Sequence, residues 1–451
     1  MKKINIKAIS LLALSILHYP FSIANCQDVW NVDQCMAYAV ANNHQVQQKE
    51  WEVKNGAMDK LSAIGSFMPS VDGGVSARYN FGRGIDPETN TYDNISTFHN
   101  NYFIEASMPI FRGGSLVNQV RKAQANLKMG KAALQEAQDN TALDTFQAYI
   151  QALYCMGTTR MAKQKLAESD SILYKTRLQE ELGIKGMADV AQMEAQQATD
   201  AYNYTHQQHL YETAMLNLKQ KMNYPMEDEL LLDSTLLDSP VMEQANIELI
   251  DKEQVVSQAL AVNPTLRKSL LNAQAQKMQS HMAWGDLLPS ISLFAGLSTS
   301  YYKQLHSEYP SFGKQFKDNY GSYVGVSLSV PIFSQFKSLT GLRKARNSYR
   351  IAQEQYEEQK LELRKLVEQA VMDCEGYLKE SIQMEKKEAS DKLAYQVTKR
   401  KYEEGLMTSL DVQNNAATWL ESQASLLQSK LTYYLKCRLV DYYQGEGIIK
   451  E

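Results

Sequence analysis

The chain has 451 residues, five cysteines and a formal net charge of −4 at pH 7, with 22% charged and 44% hydrophobic residues. Mild acidity and the lack of any Lys/Arg run argue against a nucleic-acid partner. The cysteines show no CxxC pairing, which excludes a zinc site or dense disulfide framework and makes Cys35, Cys155, Cys374 and Cys437 isolated small core residues.

Residues 1–26 read as an export signal. Lys2, Lys3 and Lys7 form a basic start, Ala8 to Leu17 an apolar run, and Ala24 and Cys26 the small residues of a cleavage site, leaving Gln27 as the mature start. A signal anchor is the alternative, but the apolar run is short for a membrane span. Lipidation at Cys26 is a second alternative, for which Asn25 is a poor preceding residue. Losing three lysines takes the formal charge from −4 to about −7. No later stretch approaches the ~20 apolar residues of a membrane helix, so a membrane-spanning mature chain must cross with strands, in an outer membrane.

The remainder is written twice. Phe67-Met68-Pro69-Ser70-Val71 returns as Leu287-Leu288-Pro289-Ser290-Ile291, Met108-Pro109-Ile110-Phe111 as Val330-Pro331-Ile332-Phe333, and Gly183 with Asp189-Val190 as Gly405 with Asp411-Val412. The offsets are 220, 222 and 222 residues. Residues 27–222 form the first unit, 223–250 a linker rich in Asp, Glu, Leu and Pro, 251–443 the second unit and 444–451 a tail.

Each unit opens with a helical segment, at 31–65 and 252–285, leading to Pro69 or Pro289. Strands are predicted at 69–82 and 98–110, then at 289–301 and 320–332. In the first, Val71, Val75, Tyr79 and Phe81 alternate with Asp72, Ser76, Arg78 and Asn80, so one face is apolar and the other polar. The aromatic residues near the strand ends (Tyr79, Phe81, Tyr301, Tyr320) fit interfacial girdles around a polar lumen. Alone, the strands also fit soluble hairpins lying on a core; the helices decide against that.

Helical hairpins are predicted at 114–222 and 336–443. From Gly114 to Glu180 there is no proline, and Leu116, Val120, Ala123, Leu127, Gly130, Leu134, Ala137 and Thr141 follow heptad steps. The second copy runs Leu342, Ala345, Tyr349, Ala352, Tyr356, Gln359, Leu363, Leu366, Ala370, Asp373. A helix of this length reaches ~100 Å at ~1.5 Å per residue. It must pack laterally on other long helices, and a narrow seam with a wet third face suits a tube. Gly183 and Gly405 permit the turns into return helices at 188–222 and 409–443. Two half-length helices stacked end to end would match each long one. Four strands per chain cannot close a barrel, and an open edge in lipid is costly, so several chains must pool strands.

The duplicated helix–strand–strand–helix–helix unit, Pro69-Ser70 and Pro289-Ser290, the Pro-Ile-Phe exits and Tyr402-Glu403-Glu404-Gly405 ahead of Asp411-Val412 resemble the TolC/outer membrane efflux protein family. The resemblance covers essentially the whole mature chain. It implies a mainly α fold with a small β part, a homotrimer with a 12-stranded outer-membrane β-barrel, and a long α-helical barrel of twelve helices in the periplasm. It also implies an equatorial belt from linker and C-terminus, and hairpin tips that close the tube at rest and dock a periplasmic adaptor bound to an inner-membrane pump. Tyr402, Gly405 and Asp411 match the family's tip pattern in the second hairpin, Gly183 and Asp189 in the first. The two aspartates could form carboxylate rings at the aperture or serve the helix dipole. Two positions depart: Met407 stands where well-known members carry arginine, with Lys185 in the first copy, and Asn414 replaces a further aspartate. The latch is therefore absent or rebuilt with Lys185.

No nucleophile–base pair or cofactor motif stands out, so no enzyme activity and no cofactor are expected. His206 and His209 lack companion ligands for a metal, and Gly82-Arg83-Gly84 lacks a phosphate-loop pattern and suits an extracellular loop. The function expected is an exit duct for small molecules or polypeptides, in a tripartite pump or a type I secretion system. A periplasmic coiled-coil adaptor is the alternative, and a general porin would need more strands and no long helices.

Overall fold

The computed structural model describes residues 29–85, 90–238, 251–304 and 309–450. The export signal, Cys26 and Gln27 lie outside them, as do residues 239–250 of the linker. In chain order the elements are β1 (Val29–Trp30), α1 (Val32–Asn42), α2 (His44–Gly65), β2 (Ser70–Ile85), β3 (Tyr92–Arg112), α3 (Ser115–Glu181) and α4 (Met187–Met222). There follow β4 (Leu231–Leu232), α5 (Thr235–Asp238), α6 (Lys252–Val262), α7 (Pro264–Gly285), β5 (Ser290–Gln304), α8 (Phe312–Asp318), β6 (Gly321–Ser329), α9 (Lys337–Glu403) and α10 (Ser409–Tyr443). The duplication is close to residue-for-residue: α1 and α6 have 11 residues, α2 and α7 have 22, and α3 and α9 have 67.

Where the pattern suggested one helix before the strands there are two. Asn43 ends α1 and accepts from Gln45 N at 2.7 Å to start α2. Asn263 does the same between α6 and α7, with Pro264 at the first helical position. The end of α4 meets the first break: Asn223 donates to Asn42 O at 3.1 Å. The two shorter helices thus stack end to end beside α3.

The four long strands form one antiparallel sheet in the order β2-β3-β5-β6. Register aligns the apolar residues on one face, in rows such as Val71–Ala106–Ala295–Val324 and Met108–Leu293–Val326. The opposite face carries Asp72, Glu105, Arg78 and His99. β3 starts earlier than the alternation suggested, and β6 stops short of Pro331. Gly82-Arg83-Gly84 lies inside β2 rather than in a loop.

The largest buried cluster lies where α1, α3, α4 and α10 meet, around Met36, Phe146, Tyr149, Leu153, Leu218 and Leu431. Beside it, β1 pairs with β4 in a short parallel ladder, and Tyr149 Oη donates to the Trp30 and Asp233 carbonyls at 3.2 and 3.1 Å. Arg438 and the Lys450 amide both bind Asp33. The N-terminal segment, residues 231–233 of the linker and the C-terminal tail therefore pack together.

Two sequence readings need correction. Cys374 and Cys437 are not isolated: they form a disulfide between α9 and α10, while Cys35 and Cys155 stay free and buried. The two half-cystines face each other across antiparallel helices, a proximity that spacing along the chain does not encode. The α9 seam also slips. Leu342, Ala352, Leu363 and Ala370 (2%) are buried as the seam requires, but Val367 (0%) and Cys374 (5%) are buried while Leu366 is 43% exposed. A straight helix drifts ~20° per heptad from a 3.5-residue repeat, about 70° between Leu342 and Leu366, which is most of the ~100° between neighbours.

Candidate functional site

The tips of the two hairpins bring the candidate residues together. Gly183 (φ 73°) and Gly405 (φ 76°) end α3 and α9 in the left-handed region, which a side chain would strain. Each tip then restarts through an N-terminal cap. Asp189 accepts from Gly186 N at 3.1 Å, and Asp411 accepts from Thr408 N at 3.0 Å and Thr408 Oγ1 at 2.6 Å. The Thr408 hydroxyl and amide hold the Asp411 carboxyl below the usual aspartate range, so it is charged at neutral pH. Both aspartates have a capping role in this geometry.

Lys185 reaches from the first tip to the second. Its ammonium donates to Tyr402 Oη and sits 4.2 Å from the centroid of the Tyr402 ring. Ser409 adds a 3.4 Å bond to Gln192 across the same gap. Farther from the turns, Glu168 of α3 accepts from both Tyr395 and Lys399 of α9. Burial alone would raise the Glu168 pKa; the Lys399 and Tyr395 hydrogen bonds outweigh it and leave it lowered. Tyr395 stacks on Trp419, whose indole donates to Glu388 at 2.8 Å. The two hairpins of one chain are thus joined by a charged clasp and, below it, by the lysine–tyrosine contact.

The prolines lie at the other end. Pro69 and Pro289 immediately precede β2 and β5, and Pro331 follows β6. Pro109 lies within β3 at an irregularity in its ladder with β5, where a missing N–H is tolerated. At the adjoining strand-to-helix turn, Gly113 (φ 55°) and Gly114 (φ 75°) are left-handed, and Gly113 abuts the backbone of Gly285. The second copy places Gln335 (φ 51°) and Phe336 (φ 62°) at the equivalent positions.

Sequence reasoning missed the apolar tips. Leu182, Ile184, Met187 and Leu406 are 67–77% exposed. The signal was present, since an aliphatic residue follows the turn glycine in both copies. It also missed Glu168, whose partners lie 227 and 231 residues away, and Asp200, buried against Ser169. His206 and His209 are exposed on α4. Among the described residues no group of three or more His, Cys, Asp or Glu could hold a metal. No helix among them is long and apolar enough to cross a membrane. The arrangement joins the two hairpins through polar contacts and leaves apolar side chains exposed at the tips.

A family model described as outer membrane efflux protein matches residues 37–223 and 255–436. The fold is similar to that of the Campylobacter jejuni CmeC outer membrane channel (TM-score 0.79, 17% identity, covering 92% of this chain and 87% of that one). It is also similar to the outer membrane protein VceC from Vibrio cholerae (0.75, 14%, 92% and 96%). The open state of the Neisseria gonorrhoeae MtrE outer membrane channel matches at 0.69 with 17% identity, over 93% and 89%. No curated protein matches.

Proposed function

The chain belongs to the outer membrane efflux protein family, and on that premise we propose that three copies pool their sheets into a 12-stranded barrel continued by a helical tube. It is an outer-membrane efflux channel, not an enzyme. The observation that supports the pooling is the sheet itself, which has an apolar face and, among the described residues, two unpaired edges, at β2 and β6. Each unpaired backbone group in lipid costs several kcal/mol, and an edge-to-edge ring removes all of them. Twelve strands ~4.8 Å apart, tilted ~40°, enclose a cylinder about 24 Å across between backbones. Side chains narrow it to a passage for small molecules or an extended polypeptide.

Transport is passive in this reading, and an inner-membrane pump coupled through a periplasmic adaptor supplies the energy. The exposed tips at Ile184 and Leu406 offer that adaptor an apolar grip. Lys185 and Tyr402 hold the hairpins together at rest, in place of an arginine latch, and part when the tube dilates. Asp189 and Asp411 put fixed negative charge at the aperture. The belt formed by residues 223–238, the N-terminal segment and the tail encircles the tube midway.

Light scattering with detergent correction on the mature, solubilised protein tests the assembly. A mass near three chains, extracted from outer membranes, is expected. A detergent-free monomer would overturn it.

A further inference from the structure

β5 is longer than its partner. β6 pairs with Ser290–Ser298 only, and among the described residues no strand flanks the outer part of β5 on that side. α8 takes its place. Gln315, 8% exposed, accepts from Tyr302 N at 3.0 Å and donates to Tyr302 O at 2.9 Å, as a neighbouring strand would. Asn319 donates to Ser300 O at 2.7 Å. The helix lies over the apolar face, because Phe312 and Phe316 meet Tyr102 at 6.0 and 5.4 Å, and Phe312 meets Tyr301 at 5.4 Å. Tyr102 and Tyr301 share that face with Ile104 and Leu297.

The level of this cluster follows from the strand. From Phe111 to Tyr102 is nine steps, about 23 Å of height at ~3.4 Å per residue and ~40° tilt, which is the depth of a barrel's apolar band. α8 therefore stands at the outward rim, where aromatic girdles lie. Phe312 and Phe316 remain 45% and 42% exposed, continuing the lipid-facing surface outward. Lys314 and Lys317 are exposed on the same helix, and Lys303 stands opposite Phe98 on the apolar face.

We propose that α8, with Lys303, binds the phosphate of lipid headgroups in the outward leaflet and anchors the barrel rim there. Aromatic rings at the interface with lysines reaching past them are the chemistry that holds an anionic headgroup. The proposal rests on the barrel reading, so its test is made on isolated trimers; failure to obtain trimers counts against that reading alone.

The trimer in mixed micelles is titrated with phosphatidylglycerol, phosphatidylcholine or inorganic phosphate. Retained lipid is counted by native mass spectrometry and the unfolding temperature followed. Phosphatidylglycerol should bind more tightly than phosphatidylcholine, and about fivefold less tightly for each lysine removed in Lys314→Gln/Lys317→Gln and in the triple variant with Lys303→Gln. Lys386→Gln, in the tube, should leave the preference unchanged. The double variant touches only the short α8 and leaves the strand ladder of β5 unaltered, so it keeps the test decisive if the triple variant assembles poorly. Equal affinity for the two lipids, a preference that survives both variants, or equal stabilisation by inorganic phosphate would overturn the proposal.

Discussion

Replacing Lys185 by alanine should open the channel. The ammonium touches Tyr402 twice, by a hydrogen bond to the hydroxyl and by its position 4.2 Å from the ring centroid. At a half-exposed site the ring contact contributes about 0.5–1 kcal/mol, and the hydrogen bond a similar net amount. Taking about 1 kcal/mol per protomer and three protomers parting together, the closed state loses about 3 kcal/mol. The ratio of open to closed channels then rises by about 150-fold. Tyr402→Phe keeps the ring and loses only the hydroxyl. At about 0.5 kcal/mol per protomer it should raise the ratio by about tenfold. Single-channel recording of purified trimers in planar bilayers reads this as occupancy of a higher conductance level. The reasoning fails if intact Lys185→Ala trimers match the unaltered channel, or if Tyr402→Phe opens it as much as Lys185→Ala.

Glu168→Ala leaves Lys399 and Tyr395 without their acceptor and should cost about 2 kcal/mol per protomer, read as a lower unfolding temperature. Because the folded pKa of Glu168 is lowered, its contribution is complete above the ordinary glutamate value of ~4.3 and is lost as pH falls through the lower folded value. Stability should therefore show no Glu168-dependent change between pH 7 and 5, and a fall below pH 4 that is smaller in Glu168→Gln. Gly113→Ala forces a side chain into the Gly285 backbone and should destabilise by about 3 kcal/mol, whereas Gln335→Gly, relieving a left-handed glutamine, should stabilise by about 1 kcal/mol; thermal unfolding of both trimers checks the opposite signs. Cys374→Ser opens a cross-link spanning 63 residues and should cost about 2–4 kcal/mol, seen as an unfolding midpoint that no longer responds to reductant.

The duplication was legible because each copy must satisfy the same lipid, the same tube and the same turn. Selection on those three surfaces leaves period-two alternation, heptads and glycines at a nearly constant offset. What was not legible depends on which residues of different elements face each other. The helix break at Asn43 is hidden in a polar run, Asn42-Asn43-His44, that reads equally well as continuous helix. The Cys374–Cys437 bridge needs the packing of α9 on α10. Lys185 meets Tyr402 although its own repeat counterpart is Met407, so the contact breaks the internal symmetry that made the rest readable. Leu366 followed the heptad too far, because a strict 3.5-residue count ignores the drift of a straight helix. The two-residue strands β1 and β4 carry too few residues to show any period.

The belt also governs the order of folding. Asp33 is bound by Arg438 and Lys450, over 405 and 417 residues of chain, and Val29 pairs with Leu231. Local contacts within each hairpin close small loops and form early, whereas contacts this distant carry the largest loop-closure entropy and form late. The hairpins can therefore zip up independently as the polypeptide emerges, leaving the waist as the last closure within one subunit. A closed waist still leaves each subunit's sheet with unpaired edges until three chains pool their strands, and the interval before that pooling is the window in which a chaperone has most to protect.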